Sequence, residues 1–264
     1  MPIRIIWARI MKPKILISND DGFYAPGLLE MYKAVAGLGP ATIVAPASEQ
    51  SGAGHAVTVS TPLKIRKRKL DGGVEGYLVN GTPADCVKIA VSVICPNKPQ
   101  LVVSGINLGP NVGISLVYSG TVSAAAEGTI LGIPSLAVSL DAFENPCWDT
   151  AAHVARLIAN RVLRKGLPAF TMLNVNVPNL PLKKLKGIAV ARMGRSRFVE
   201  IFHRRTSPRG DDYYWLDGDL ELLDDAGGTD IQFLKDGFVS VTPVTFDLTN
   251  HAAMDGIKKW DLRL

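Results

Sequence analysis

The sequence predicts an α/β fold: a Rossmann-like, mainly parallel sheet with helices on both faces, followed by a C-terminal β-hairpin extension. Three observations carry this prediction. Short apolar runs alternate with helix-period segments from Lys14 to about Pro178, and such alternation implies right-handed crossovers and a sheet covered on both sides. Runs such as Ile15-Leu16-Ile17 and Leu101-Val102-Val103 are continuously apolar, the reading of strands buried on both faces. After about Leu180 the rhythm breaks, and clustered charges stand among aromatic, strand-like segments.

Ile15 to Ile17 opens the chain of elements as a buried strand. Leu28, Met31, Tyr32 and Val35 follow at the spacing of one helical face, and Gly37 and Gly39-Pro40 end that helix. Ala41 to Ala45 reads as the second strand. Val57 to Ser60, Leu63 to Lys67 and Val74 to Val79 read as strands of a hairpin region. Val87, Ala90, Val91 and Ile94 mark a second helix face before the strand Leu101 to Val103. Val122, Ala125, Ala126 and Thr129 mark a third helix, followed by the strand Ser135 to Val138. Ala151, Val154, Ala155, Ile158 and Val162 mark a fourth, followed by the strand Met172 to Val175. Tyr213 to Trp215 and Phe238 to Val241 read as late strands, with no helix expected before the last dozen residues. The resulting division is an appendage over 1–10, an α/β catalytic core over 11–180 and a hairpin and oligomerisation region over 181–264.

Composition bounds the function. The chain has 264 residues, 47% apolar and 20% charged, enough for a substantial core. Its 25 Gly and 17 Pro come without a period, which excludes collagen. No run approaches the roughly 18 apolar residues of a membrane span. A net charge of +5 suits an anionic ligand without requiring one. Cys86, Cys95 and Cys147 form no C-x-x-C pair, so reduced, mostly buried thiols and a cytoplasmic location are expected.

In an open α/β sheet, ligands bind beyond the carboxyl ends of the strands. Asn19-Asp20-Asp21-Gly22 follows the first strand, a loop with Ser51 and His55 the second, and Ser104-Gly105-Ile106-Asn107 with Gly109-Pro110-Asn111 the Leu101 strand. One aspartate would serve as a helix cap, but two adjacent ones at the end of a buried strand repel unless a cation lies between them. The oxygen-rich set suits Mg²⁺ or Mn²⁺. Tyr118-Ser119-Gly120-Thr121 opens a helix, either as a plain N-cap or as a phosphate cradle. His55 is a possible substrate contact, and Asn80-Gly81-Thr82-Pro83 with Asp85 a possible lining. Walker, dinucleotide-binding and G-x-S-x-G patterns are absent.

These motifs together resemble the SurE survival-protein family. They are Asn19-Asp20-Asp21-Gly22, Asn80-Gly81-Thr82-Pro83-Ala84-Asp85-Cys86, Ser104-Gly105-Ile106-Asn107 with Gly109-Pro110-Asn111, and Tyr118-Ser119-Gly120-Thr121-Val122-Ser123-Ala124-Ala125. The resemblance runs on to Gly237-Phe238-Val239-Ser240-Val241-Thr242-Pro243. It implies a metal-dependent 5′(3′)-nucleotidase and acid phosphatase, with one divalent ion per subunit (Mg²⁺ or Mn²⁺) held by Asp20, Asp21, Ser51 and Asn107. Ser119, Gly120 and Thr121 would then hold phosphate, and Asp20, Asn111, Ser119 and Thr121 would serve catalysis by a metal-activated water. Gln50 stands where many relatives carry Arg. Partners on this reading are a phosphate monoester and further copies of the chain, as a homodimer or homotetramer joined through the C-terminal arm, with no membrane or nucleic acid. The alternative is a nucleotide- or nucleic-acid-binding module using the Arg, Phe and Tyr residues between Arg192 and Tyr214.

Overall fold

A computed structural model describes residues 12–223 and 226–262; the expected appendage over 1–10 lies outside them. Strands β1 (Ile15–Ser18), β2 (Ala41–Pro46), β3 (Ile65–Lys69), β4 (Glu75–Val79), β5 (Leu101–Leu108), β6 (Ser135–Asp141), β7 (Thr171–Pro178) and β8 (Ile188–Val190) precede a long hairpin, β9 (Ser196–Thr206) and β10 (Asp212–Leu222). β11 (Val239–Thr245) follows it. All but the hairpin form one nine-stranded sheet in the order β3-β4-β2-β1-β5-β6-β7-β11-β8. The six strands from β4 to β7 in this order run parallel. Numbered among themselves they lie 3-2-1-4-5-6, so the strand order reverses between β1 and β5.

Helices α1 (Pro26–Val35), α2 (Pro83–Ile89), α3 (Ser115–Tyr118), α4 (Gly120–Ile130), α5 (Trp148–Lys165), α6 (Asp230–Lys235) and α7 (His251–Ile257) complete the described structure. Period-two alternation splits β1 between two cores. Ile15 and Ile17 pack under α1 and α5 with Leu28, Met31 and Val154. Leu16 faces the other way, toward Cys86 and Val87 of α2 and Ala124 of α4. A Rossmann-like sheet covered on both faces, with an antiparallel C-terminal hairpin, is thus the observed architecture.

Five expectations change. Ser104 to Asn107, expected beyond the Leu101 strand, lie within β5, which runs on to Leu108. Residues 57–60 form no strand; Thr58 instead donates its N–H to the Asp85 carboxylate at 3.0 Å. The second helix ends α2 early and closes in a π turn over Ala90–Ile94. The sheet is not complete at Pro178: β11 pairs antiparallel with β7 through Val241↔Val175 and carries β8 beyond it. A non-local pairing of this kind leaves no mark on periodicity. α6 was also not expected; Thr229 caps it, accepting the Gln232 N–H at 3.1 Å.

Candidate active site at the sheet switch point

The chain leaves β1 at Ser18 and turns sharply: the Asn19 amide donates to the Gly22 carbonyl at 2.9 Å. Asp20, in this turn, is buried, and Asp21 is half-buried. The Gln50 N–H donates to the Asp20 carbonyl at 2.8 Å, which fastens the loop after β2 to the same point. On the other side stands the start of α4. The Thr121 hydroxyl donates to Asp20 Oδ1. A Cβ on Gly120 would lie 2.6 Å from the Asp20 Cβ, so only glycine lets the first turn of α4 close on the carboxylate.

β5 delivers the amide. Its register against β6 shifts between Gly105 and Asn107, and bulges re-aim side chains beside functional sites. Gly105 has φ +122°, and a Cβ there would lie 2.2 Å from the Val138 carbonyl. Beyond this irregularity Asn107 Nδ2 donates to the Gly109 carbonyl at 2.7 Å, leaving its amide oxygen available as a ligand atom. Ser51 Oγ donates to Glu49 Oε1 at 2.7 Å. Asn111 is fixed from three sides. Its N–H donates to Asn176 Oδ1 and its amide to Ser139 Oγ, both at 2.8 Å, and its carbonyl accepts from Asn174 and Asn176.

A cleft of about 540 Å³ opens over these groups. Asp20, Ser51, Asn107, Asn111 and Ser119 line one part of it, and Phe143, Phe198 and Leu216 another. Burial pushes the Asp20 carboxyl up, with bonds from Thr121 opposing and the Glu49 charge adding to the rise. Burial, then the charges of Asp20 and Glu49, push Asp21 up to about 7. The charged groups acting on Asp21 are therefore both negative, and a buried like-charge pair is costly without a cation. Among the described residues no three His, Cys, Asp or Glu side chains form a metal cluster. An ion at Asp20 and Asp21 would find further, neutral oxygens in Ser51 and Asn107 of the same cleft. Such an all-oxygen donor set fits a hard divalent cation.

The sequence-predicted residues divide accordingly. Asp20, Ser51, Asn107, Asn111 and Ser119 share the cleft; Gly120 lies directly against Asp20, and Asp21, next in the chain, is not among the residues that line the cleft. Ser119 caps α4, accepting the Val122 N–H at 3.1 Å, and keeps its hydroxyl proton free to donate. Thr121 does not: its proton goes to Asp20. His55 turns away from the cleft and pairs with Glu127 at 3.0 Å, which also holds Lys88 at 2.7 Å. Asp85 is spent on the Thr58 and Thr82 N–H groups; burial alone would raise its carboxyl, but these bonds hold it below its ordinary value.

Four residues about the site were not among those expected. Glu49 braces Ser51. Asn174 and Asn176, on alternate positions of β7, anchor Asn111. Asp230 lies buried behind the loop after β5 and accepts the Gly113 and Gly194 N–H groups at 3.0 and 2.9 Å. Polar residues in an otherwise apolar strand, as in Asn174-Val175-Asn176, were the available signal.

The profile of the survival protein SurE family matches residues 15–200, a span holding every residue assigned above to the metal and phosphate sites. The chain belongs to the SurE family. It is 43% identical over 248 residues to the 5′-nucleotidase SurE of Heliobacterium modesticaldum, covering 94% of this chain and 91% of the relative. It is 46% identical over 246 residues to that of Syntrophus aciditrophicus, covering 93% and 92%. The crystal structure of the SurE protein from Aquifex aeolicus superposes with a TM-score of 0.80 at 43% identity, over 93% of this chain and 98% of that one.

Proposed function

We propose that this chain is a divalent-metal-dependent phosphomonoesterase that releases inorganic phosphate from nucleoside monophosphates and other phosphate monoesters. The names of its relatives support the reaction class. The observation that carries it is the Asp20–Asp21 pair, the first carboxylate buried and the second half-buried, with Asp20 set against the first turn of α4. There a divalent ion, Mg²⁺ or Mn²⁺, would be held by Asp20, Asp21, Ser51 and Asn107. Bound there, it would lower the pKa of water and neutralise phosphoryl charge.

The chain's own residues do the rest. Ser119 donates its hydroxyl to a phosphoryl oxygen while its Oγ still caps α4. Gly120 permits close backbone approach at a helix N-terminus, where anions are favoured. Thr121 orients Asp20 and reaches phosphate only by giving up that bond. Asn111, held by Asn174 and Asn176, presents its position on the cleft wall without rearrangement. A chelator-treated sample tested on AMP and p-nitrophenyl phosphate, with Mg²⁺ or Mn²⁺ restored, checks this: phosphate release should return with metal on both esters.

The basic hairpin supports assembly more than nucleic-acid binding. Arg197 and Arg204 are already paired with Glu221 and Asp212 across the hairpin. The outward positions Val199, Ile201, Tyr213 and Trp215 are exposed, and such a face is suited to a homodimer or homotetramer built through the arm. No described helix is long and apolar enough to cross a membrane. A cytoplasmic location fits the three free thiols.

A further inference from the structure

We propose that the edge strand β3 is a binding surface for a single-stranded nucleic acid, held through its phosphates and by stacking of a base on Tyr24. The strand lies outside the candidate active site, three strands or about 14 Å from β1, and the proposal does not depend on the activity proposed above. Lys64, Arg66, Lys67, Arg68 and Lys69 place five cations in six residues with no carboxylate among them. Without these five, Lys plus Arg and Asp plus Glu would both number 24, so the whole net charge of +5 corresponds to this one segment. All five side chains are exposed, and β3 ends the nine-stranded sheet with one side unpaired. Among the described residues only Lys67 of the five is ion-paired, to Glu75 at 2.6 Å. Arg68 donates to a carbonyl, that of Lys67.

Lysines on an edge strand keep it from pairing with another copy of the chain, but that role asks for no arginine and no ring. β3 carries both on one face. It pairs antiparallel with β4, Arg68 opposite Gly76 and Arg66 opposite Leu78, and directly opposed residues share a face. Gly76 is bare because the buried Phe23 ring lies over it: a Cβ there would sit 2.9 Å from Phe23 Cε2. Tyr24 meets Phe23 edge to face at 5.1 Å and is itself 62% exposed. Two guanidinium groups without a carboxylate and an exposed ring therefore stand on the same side of the sheet, on either side of Phe23. Cations along a track with a ring beside it hold single strands without base preference: the cations take phosphates and the ring takes a base. From Lys64 to Lys69 the track is about 17 Å long. An acidic peptide would use the charges and leave the ring idle, and the ring decides between the two partners.

The test is fluorescence anisotropy of a labelled oligothymidylate of about twelve nucleotides, titrated with the full-length protein and Mg²⁺ at about 50 mM salt. The probe carries no terminal phosphate monoester, so the candidate active site has no ester to hold. Contact with about four phosphates should give a slope of log K against log salt near about −3. The Arg66→Gln, Arg68→Gln double variant should bind about ten-fold more weakly, with a slope shallower by about 1.4. Its melting temperature should match the wild type, because only exposed side chains change. Arg204→Gln, Arg205→Gln on the hairpin should bind as the wild type does. Tyr24→Ala should lose about ten-fold, the scale of one base–aromatic stack, and Tyr24→Phe should restore it. Polyglutamate of equal charge should compete at least ten-fold less well than unlabelled oligothymidylate. The proposal is overturned by a wild-type chain that does not bind the probe at this salt, or by a folded β3 double variant that binds it undiminished. Polyglutamate that competes as well as the oligonucleotide also overturns it, in favour of an acidic protein partner.

Discussion

The rim of the parallel sheet and the β9–β10 hairpin border the same cleft but are held in different ways. At the rim Asp20 and Asn111 are fixed by partners from separate elements, Asp20 by Thr121 of α4, and Asn111 by Ser139 of β6 and by Asn174 and Asn176 of β7, while Ser51 and Asn107 bond to residues two positions away. The hairpin touches the body mainly at its base, through Ser196 and Leu220, and its strands are otherwise exposed. Over-determined positions suit groups that must meet a reacting phosphate with little tolerance. A ribbon anchored at one end suits surfaces shaped by a partner or by the variable part of a substrate.

Variants at the two regions should fail differently. Asp20→Asn keeps the shape and removes one charge, so phosphate release should fall by about 10³-fold while the melting temperature does not drop; steady-state kinetics beside calorimetric melting checks this. Gly120→Ala drives a methyl group into Asp20, and a displacement of that kind should cost about 10²-fold in kcat. Deleting residues 199–219 should instead lower the mass in solution toward the monomer, read by light scattering, and cost less than about ten-fold in turnover of glycerol 2-phosphate. A truncated hairpin that abolishes turnover of that ester would merge the two regions and break the comparison. Ser119→Ala should weaken vanadate inhibition by about ten-fold, one hydrogen bond to a charged group, with metal affinity kept. Thr121→Val, acting through Asp20, should shift metal affinity.

The smallest effect concerns pH. In the metal-free fold Asp21 keeps its proton up to about pH 7, whereas the unfolded chain releases it near the ordinary 3.8. The folded state therefore binds more protons between these values, and its stability falls as pH rises from about 4 to 7. Thermal melts of chelator-treated protein should show this decline, flattened in Asp21→Asn.

Much of the rim was legible in the sequence because the parallel fold puts functional residues just after strands. Asp20 could be placed at a strand end and Ser119 at a helix start from local pattern alone, whereas Asn107 stood out only in company with the aspartates and lies inside β5. Contacts between distant segments were not legible. Nothing near Thr121 shows that its hydroxyl is taken by Asp20, 101 residues away. Nor does the Val239–Thr245 run disclose that it lies between β7 and β8.

The proposed activity stands on a cation site formed by Asp20 and Asp21 at the switch point between β1 and β5. Calorimetric titration of Mn²⁺ into chelator-treated protein tests it most directly. The account predicts one ion bound per chain, and none in a folded Asp20→Asn, Asp21→Asn double variant. Undiminished binding in that double variant, or no binding by the wild-type chain, would contradict it.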